Sequence, residues 1–321
     1  MPKFLLLIYI TLFLLSGCDN KSTNKKITIA TLKGPSAMGM IKMMDSLANT
    51  ENAKSEILIF NEPIQVRKLM LENKADFAIL PTTMGAILYN KGLNYKLAAV
   101  PVWGTLYLFG TDSTIKTWND LKGKRIHLMG KGMTPDVLFK YLLINNGIDP
   151  DKDVTLDYSF PTHVDLANAV AAEIASLGVI SEPMVSLIMQ KNKQMHFIFD
   201  LNIEWQKIHS NTRIAQTAFL VKADFAEKNP EFVEQLLNEY QKSTDWVNEN
   251  PENAAELIVK YGILPNTAVA IESIPRSNLN FIKAEEIKLE IYNYLEIFGA
   301  LNQDIIGGKI PDENFIFCKK K

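Results

Sequence analysis

From Ile27 to Met40, ITIATLKGPSAMGM, a β-branched run passes through Lys33, Gly34 and Pro35 into an apolar helix, and the same passage recurs down the chain. Ile27 to Thr31 suit a strand. Gly34 and Pro35 break it, and Ser36 is placed to cap a helix carrying Met40, Ile41, Met43, Met44 and Leu47. Glu56 to Phe60 begins a second round, in which Asn61 and Pro63 open a helix through Ile64, Val66, Leu69 and Met70. Ala75 to Leu80 begins a third: Pro81 stops the strand, and Thr82 or Thr83 caps a helix ending near Gly92. Strand and helix alternating in this way constrain the chain to an α/β fold with a parallel sheet and crossover helices.

The stretch Leu97–Val102, then Trp103 and Gly104, then Thr105–Phe109 reads as a first crossing between two lobes. A second α/β run follows, with strands expected over Arg125–Met129, Val154–Tyr158, Ile174–Ile180 and His196–Phe199. Between the first two, Thr134 is the expected N-cap, Pro135 the first helical residue, Asp136 the acid at the positive helix end, and Gly147 the stop. Another helix starts after Ser181, with Glu182 and Pro183 in its first turn. Ile214–Val221 reads as the return crossing. Asn229 with Pro230 and Asn250 with Pro251 then open two helices expected to pack the back of the first lobe. The expected division is residues 27–104 with 213–321 as lobe 1 and 105–212 as lobe 2. Nothing in the sequence gives residues 263–317 a role.

Net charge is −2 over 321 residues, so no basic field points to nucleic acid. Lys3 precedes an apolar run from Phe4 to Leu15, too short for the roughly 20 residues of a membrane span. Leu15, Ser16, Gly17 and Cys18 then resemble a bacterial lipoprotein cleavage site, so 1–18 is expected to be a signal ending at a lipidated Cys18. Residues 19–26, DNKSTNKK, would be the tether. This places the chain on the periplasmic or extracellular face of a membrane. Cys318 is then a lone thiol with no disulfide framework.

Catalytic signatures fall short. Ser36 sits on a strand-to-helix turn as a nucleophile elbow would, but Met38 stands where the second glycine belongs. Gly34 and Gly39 have P-loop spacing, yet Met40 and Ile41 replace the lysine and hydroxyl that hold phosphate and magnesium. His127, His163, His196 and His209 are scattered without zinc-site spacing, and His163 with Asp165 is a weak pair on what reads as surface. Met40, Met43, Met44 and Met70 fall on apolar helix faces and read as core. What remains is four chain reversals after strands: Gly34–Ala37, Pro81–Met84, Gly130–Thr134 and Ser181–Met184. Ligands of open α/β sheets bind at the carboxyl ends of strands, so two facing sheets would gather these turns around one cleft.

The segments ITIATLKGPSAMGM, ENKADFAILPTTMGAIL, DLKGKRIHLMGKGMTPDVLFKYLLINNGIDPDKDV, GVISEPMV and NPEFVEQLLNEYQKSTDWVNENPENAAELI occur in an order that resembles the periplasmic substrate-binding proteins of ABC importers. The resemblance is to the SsuA/THI5-like group, whose ligands include taurine, alkanesulfonates and thiamine-pyrimidine precursors. It implies a type II periplasmic-binding-protein fold, two α/β lobes joined by two crossing segments and closing on a small-molecule ligand. An ABC permease and its ATPase would be the partners, and no cofactor, metal or catalytic residue is implied. Carried over by position, ligand contacts would come from Gly34, Pro35 and Ser36, from Thr82 and Thr83, from Trp103 and Thr105, from Lys131 and Thr134, and from Glu182. Trp103, Tyr107 or Phe160 could stack on a ring. Glu182 either faces the ligand or caps its own helix. The cysteine-rich motif of relatives that make thiamine pyrimidine has no counterpart here. The alternatives are an enzyme on the same fold, of pyrimidine- or menaquinone-precursor type, and a ligand-sensing subunit without import.

Overall fold

The computed structural model describes residues 26–319 apart from 52 and 211. The expected signal, Cys18 and all but the last residue of the tether lie outside the described residues. The opening rounds run β1 (Ile27–Leu32), α1 (Pro35–Gly39), α2 (Ile41–Ala48), β2 (Ser55–Phe60), α3 (Pro63–Leu71), β3 (Phe77–Pro81), α4 (Thr82–Asn90) and β4 (Tyr95–Trp103). The second run is β5 (Leu106–Gly110), β6 (Arg125–His127), α5 (Thr134–Asn145), β7 (Thr155–Asp157), α6 (His163–Ala171), β8 (Leu177–Ser181), α7 (Met184–Lys191), β9 (His196–Asp200) and α8 (Leu201–Ile208). After it come β10 (Ala215–Lys222), α9 (Ala223–Lys228), α10 (Pro230–Glu249), α11 (Pro251–Lys260), α12 (Thr267–Ser273), β11 (Leu279–Lys283) and α13 (Lys288–Leu301).

These strands form two sheets, ordered β11-β4-β10-β3-β1-β2 and β7-β6-β8-β5-β9. Neither is wholly parallel, which corrects the expectation. β10 runs antiparallel to β3 and β4, and β5 antiparallel to β8 and β9. β11 is antiparallel to β4 as well, at the sheet edge. Of the three exceptions, β10 and β5 directly follow a crossing. Each enters its sheet from the end where the parallel strands finish, so Leu106 pairs with Ser181 and Thr217 with Pro81.

The helix expected from Ser36 through Leu47 is two helices, broken at Met40. Ser243 on α10 replaces the missing helical bonds: its Oγ donates to Gly39 O at 2.8 Å and accepts from the backbone of Lys42 and Met43. Ser36 does not cap. Gly34 precedes α1 at φ +133°, ψ −148°, a conformation open essentially to glycine alone. Thr82 and Thr83 likewise sit inside α4, with Pro81 before them. Thr134 is the first residue of α5, behind Met133, and Asp136 serves as the cap from within the helix by accepting the Gly132 N–H at 2.6 Å.

Met40, Met43, Met44 and Met70 are buried, as their spacing requires. Beneath the first sheet, Ile29, Phe77 and Phe219 pack on Val233, Leu237 and Tyr240 of α10. On the other face Ala30, Leu80 and Leu220 join a cluster that continues through Trp103 and Leu106 into Phe139 and Trp205. The C-terminal residues supply its middle. Tyr294 and Phe298 of α13 pack at a tilt beside Trp205 with ring centroids 6.5 and 5.8 Å away, and β11 adds the edge strand next to β4. Residues 263–317 therefore tie the two sheets together, a role built from contacts too distant in sequence to be read there.

Candidate functional site

Where the parallel strands end, the two sheets face each other across a cavity of about 290 Å³. One wall carries Pro35, Ser36, Thr83 and Thr217, and the other Thr105, Thr134, His163 and Glu182. A second hollow of about 320 Å³ adjoins it and shares Lys33, His163 and Pro183. The turns at 34–36 and 132–135 thus open on one seam, through residues of both hollows. At that seam, a Cβ on Gly34 would lie 3.5 Å from Pro183 Cδ, so the walls are in contact.

Of the ten ligand contacts expected from sequence, Pro35, Ser36, Thr83, Thr105, Thr134 and Glu182 line the cavity, and Gly34 lines the adjoining hollow. Thr82, Trp103 and Lys131 line neither. Thr82 is fully buried within α4, and Lys131 lies over the Tyr158 ring at 5.5 Å. Trp103 is not free to stack on a solute. It is 3% exposed, its Nε1 donates to Asn280 O at 2.7 Å, and the Arg213 guanidinium covers its ring at 3.8 Å. Tyr107 is spoken for too, packed on Phe197 with its hydroxyl donating to Arg276 O. Phe160 lies 5.5 Å from the His127 ring, away from the cavity lining.

Thr83 Oγ1 and Thr134 Oγ1 lie 2.9 Å apart and join the walls by a buried hydrogen bond. Ser36 Oγ reaches Thr217 Oγ1 at 3.5 Å. Glu182 does cap its own helix, accepting from Ser186 N at 3.2 Å, and it also pairs with Arg276 at 2.5 Å. Its side chain is fully buried while that of Arg276 is 28% exposed. Burial raises the Glu182 carboxyl above the usual range, and the Arg276 guanidinium opposes that shift.

His163 is not a surface partner of Asp165. Asp165 is taken by Thr162 in the cap of α6, and His163 Nε2 lies 3.2 Å from Ser181 N and 3.0 Å from Ser181 Oγ at the cavity wall. The pattern Thr162-x-x-Asp165 is a capping signature that could have shown this. A serine beside a histidine suggests a nucleophile and its base. Here burial holds the His163 pKa down at about 4, and Nε2 already accepts the Ser181 N–H, so the ring is a weak base, and among the described residues no third group orients it. The arrangement can bind by hydrogen bonds and apolar contact. Gln216, which the sequence reading passed over, also lines the cavity.

The family described as NMT1/THI5 like matches residues 51–254. The chain belongs to that family. The crystal structure of an ABC transporter from Parabacteroides distasonis shares 26% identity with it, covering 92% of this chain and 100% of that one at a TM-score of 0.79. The periplasmic aliphatic sulphonate binding protein SsuA of Escherichia coli shares the fold at 18% identity, with 92% and 93% covered and a TM-score of 0.72. A protein of Bacillus subtilis named as a binding protein, YtlA, is 25% identical over 187 residues, 56% of this chain and 52% of its own. The chain therefore spans about half the length of that curated relative.

Proposed function

We propose that the chain is an extracytoplasmic receptor that captures a small organic solute between two lobes and hands it to an ABC importer, with no chemistry on the solute. The observation that carries this reading is the cavity between two sheets, lined from both by the turns that follow parallel strands. Relatives named as ABC transporter and binding proteins support it. In this reading the lobes divide at residues 104/105 and 212/213, and ligand contacts come from Pro35, Ser36, Thr83, Thr105 and Thr134, with Glu182 shaping the wall.

Closure on a solute exchanges water at the cavity wall for solute contacts, so affinity follows how well the closed walls satisfy it. The test is small-angle scattering with each solute that raises the melting temperature in a screen of sulfonates, pyrimidines, flavins and small carboxylates. Compaction at saturation is the expected result; an unchanged radius removes the clamp. We also assign Cys18 as the site of a lipid anchor, supported by the LSGC sequence and the polar run behind it. A mature chain whose mass shows no acyl groups on Cys18 would remove the anchor.

A further inference from the structure

A backbone group settles the orientation of one ring in the cleft. His163 opens α6 and lines both hollows, and its Nε2 lies 3.2 Å from Ser181 N and 3.0 Å from Ser181 Oγ at the end of β8. A backbone N–H can only donate, so Nε2 is the ring's acceptor. Turning the ring over would set a carbon against both Ser181 groups, and a proton on Nε2 would meet the N–H donor against donor. The neutral ring therefore carries its proton on Nδ1. Burial disfavours the charged form at ordinary pH, so the second nitrogen is a donor there and not an acceptor.

That donor is unspent. Nδ1 has no acceptor among the described residues, and it is not one of the unpartnered polar atoms sealed from solvent, so the space it opens on is the cleft. Water serves the N–H while the cleft is open, and closure on a solute removes that water. A solute with no acceptor to offer then leaves the donor dry, at a cost of about tenfold or more in affinity. The Lys33 ammonium also lines both hollows and forms no ion pair among the described residues, so an anion is not turned away. Lys33 is exposed on a flexible stem and supplies charge without direction, whereas the His163 ring is pinned by Ser181.

We infer that His163 is a specificity-determining residue of the cleft, a fixed Nδ1–H donor that selects solutes presenting a hydrogen-bond acceptor and no donor at that point: an oxygen of an acid or carbonyl group, or a bare ring nitrogen. This deepens the receptor reading and rests on it. The preference follows from an asymmetry: a site built to give a hydrogen bond rejects a molecule that cannot take one more strongly than it rejects a change in apolar size.

The first arm of the test needs no solute. Nitrogen NMR of the protein carrying isotope-labelled histidine, with His163 assigned by loss of its signals in His163→Gln, should show the His163 proton on Nδ1 near neutral pH; a proton on Nε2 overturns the inference. The second arm is titration calorimetry with acetophenone, benzenesulfonate and benzylamine, which share a ring and end in a neutral acceptor, an anionic acceptor and, as the ammonium, donors alone. Acetophenone and benzenesulfonate should bind at least about tenfold more tightly than benzylamine. His163→Leu should weaken both by about tenfold. His163→Gln, whose carbonyl can take the Ser181 N–H while its amide donates into the cleft, should restore most of that loss; circular dichroism checks that each variant is folded. Lys33→Met should weaken benzenesulfonate and spare acetophenone, which separates charge from donor. Benzylamine binding tightest, equal affinities in the Leu and Gln variants, equal losses of both acceptors in Lys33→Met, or no heat from any probe at millimolar concentration overturns the inference. Benzenesulfonate binding with compaction in scattering that persists undiminished in His163→Leu would overturn it and leave the receptor reading standing. Acceptor-selective binding without compaction would do the reverse.

Discussion

Thr83 and Thr134 meet across the cleft as neutral hydroxyls, whereas Glu182 and Arg276 meet there as charges, the carboxylate fully buried. When the walls part, water can replace either threonine hydroxyl at little net cost, because one hydrogen bond is exchanged for another. Parting Glu182 from Arg276 would strand a carboxylate in a dry site. The first contact is suited to release and the second to permanence, so the cleft is expected to open at the threonines and stay joined at the ion pair.

The largest effect should come from breaking the permanent side. Glu182→Ala should destabilise the solute-free protein by about 3 kcal/mol, the low end for a buried pair because Arg276 keeps a route to water. Denaturant midpoints at constant slope measure it; a change under about 0.5 kcal/mol would make the pair a surface contact in energetic terms. Thr83→Val, which keeps the shape and removes the hydroxyl, should cost about 1 kcal/mol of the closed state and weaken solute binding about fivefold. The solute-free melting temperature should then move only a few degrees. If Thr83→Val proved as damaging as Glu182→Ala, the distinction between the two contacts would vanish.

The smallest effect is a pH dependence. Burial keeps His163 at about 4 against an ordinary 6.5, so the unfolded chain takes up a proton first as pH falls. Stability present above about 6.5 is therefore lost down towards 4. Glu182, raised by its burial, works in the opposite sense over part of that window because the folded protein then binds the proton more tightly. His163→Gln should flatten the fall in melting temperature between pH 7 and pH 5. An unchanged slope would assign the dependence to other groups, such as His209, which burial also lowers.

What the sequence could show divides along the same line. Every turn that opens a helix at the cleft was legible, because Gly34, Pro35, Pro81 and Pro135 act on their own neighbours. Cap positions shifted by one or two residues because Gly34, Pro81 and Met133 precede their helices without a side-chain cap, and the break at Met40 was not legible because Ser243, which fills it, lies far along the chain. Trp103 looked available because Arg213 and Asn280, which occupy it, lie far along the chain. The Glu182–Arg276 pair joins residues 94 apart, and Gln216 carries no local mark at all. Contacts made between lobes leave no trace in either lobe's own pattern.

The two crossings touch at Gly104, whose N–H donates to Ile214 O at 2.9 Å and whose carbonyl accepts from Asn278. A methyl group placed on Gly104 would lie 2.6 Å from Asn202 Oδ1 and 2.8 Å from its Cβ. Bareness at this point is what lets the start of α8 lie close against the crossing. Any bulk here would act as a doorstop, and a small wedge so near the pivot would be magnified with distance into a permanently ajar mouth.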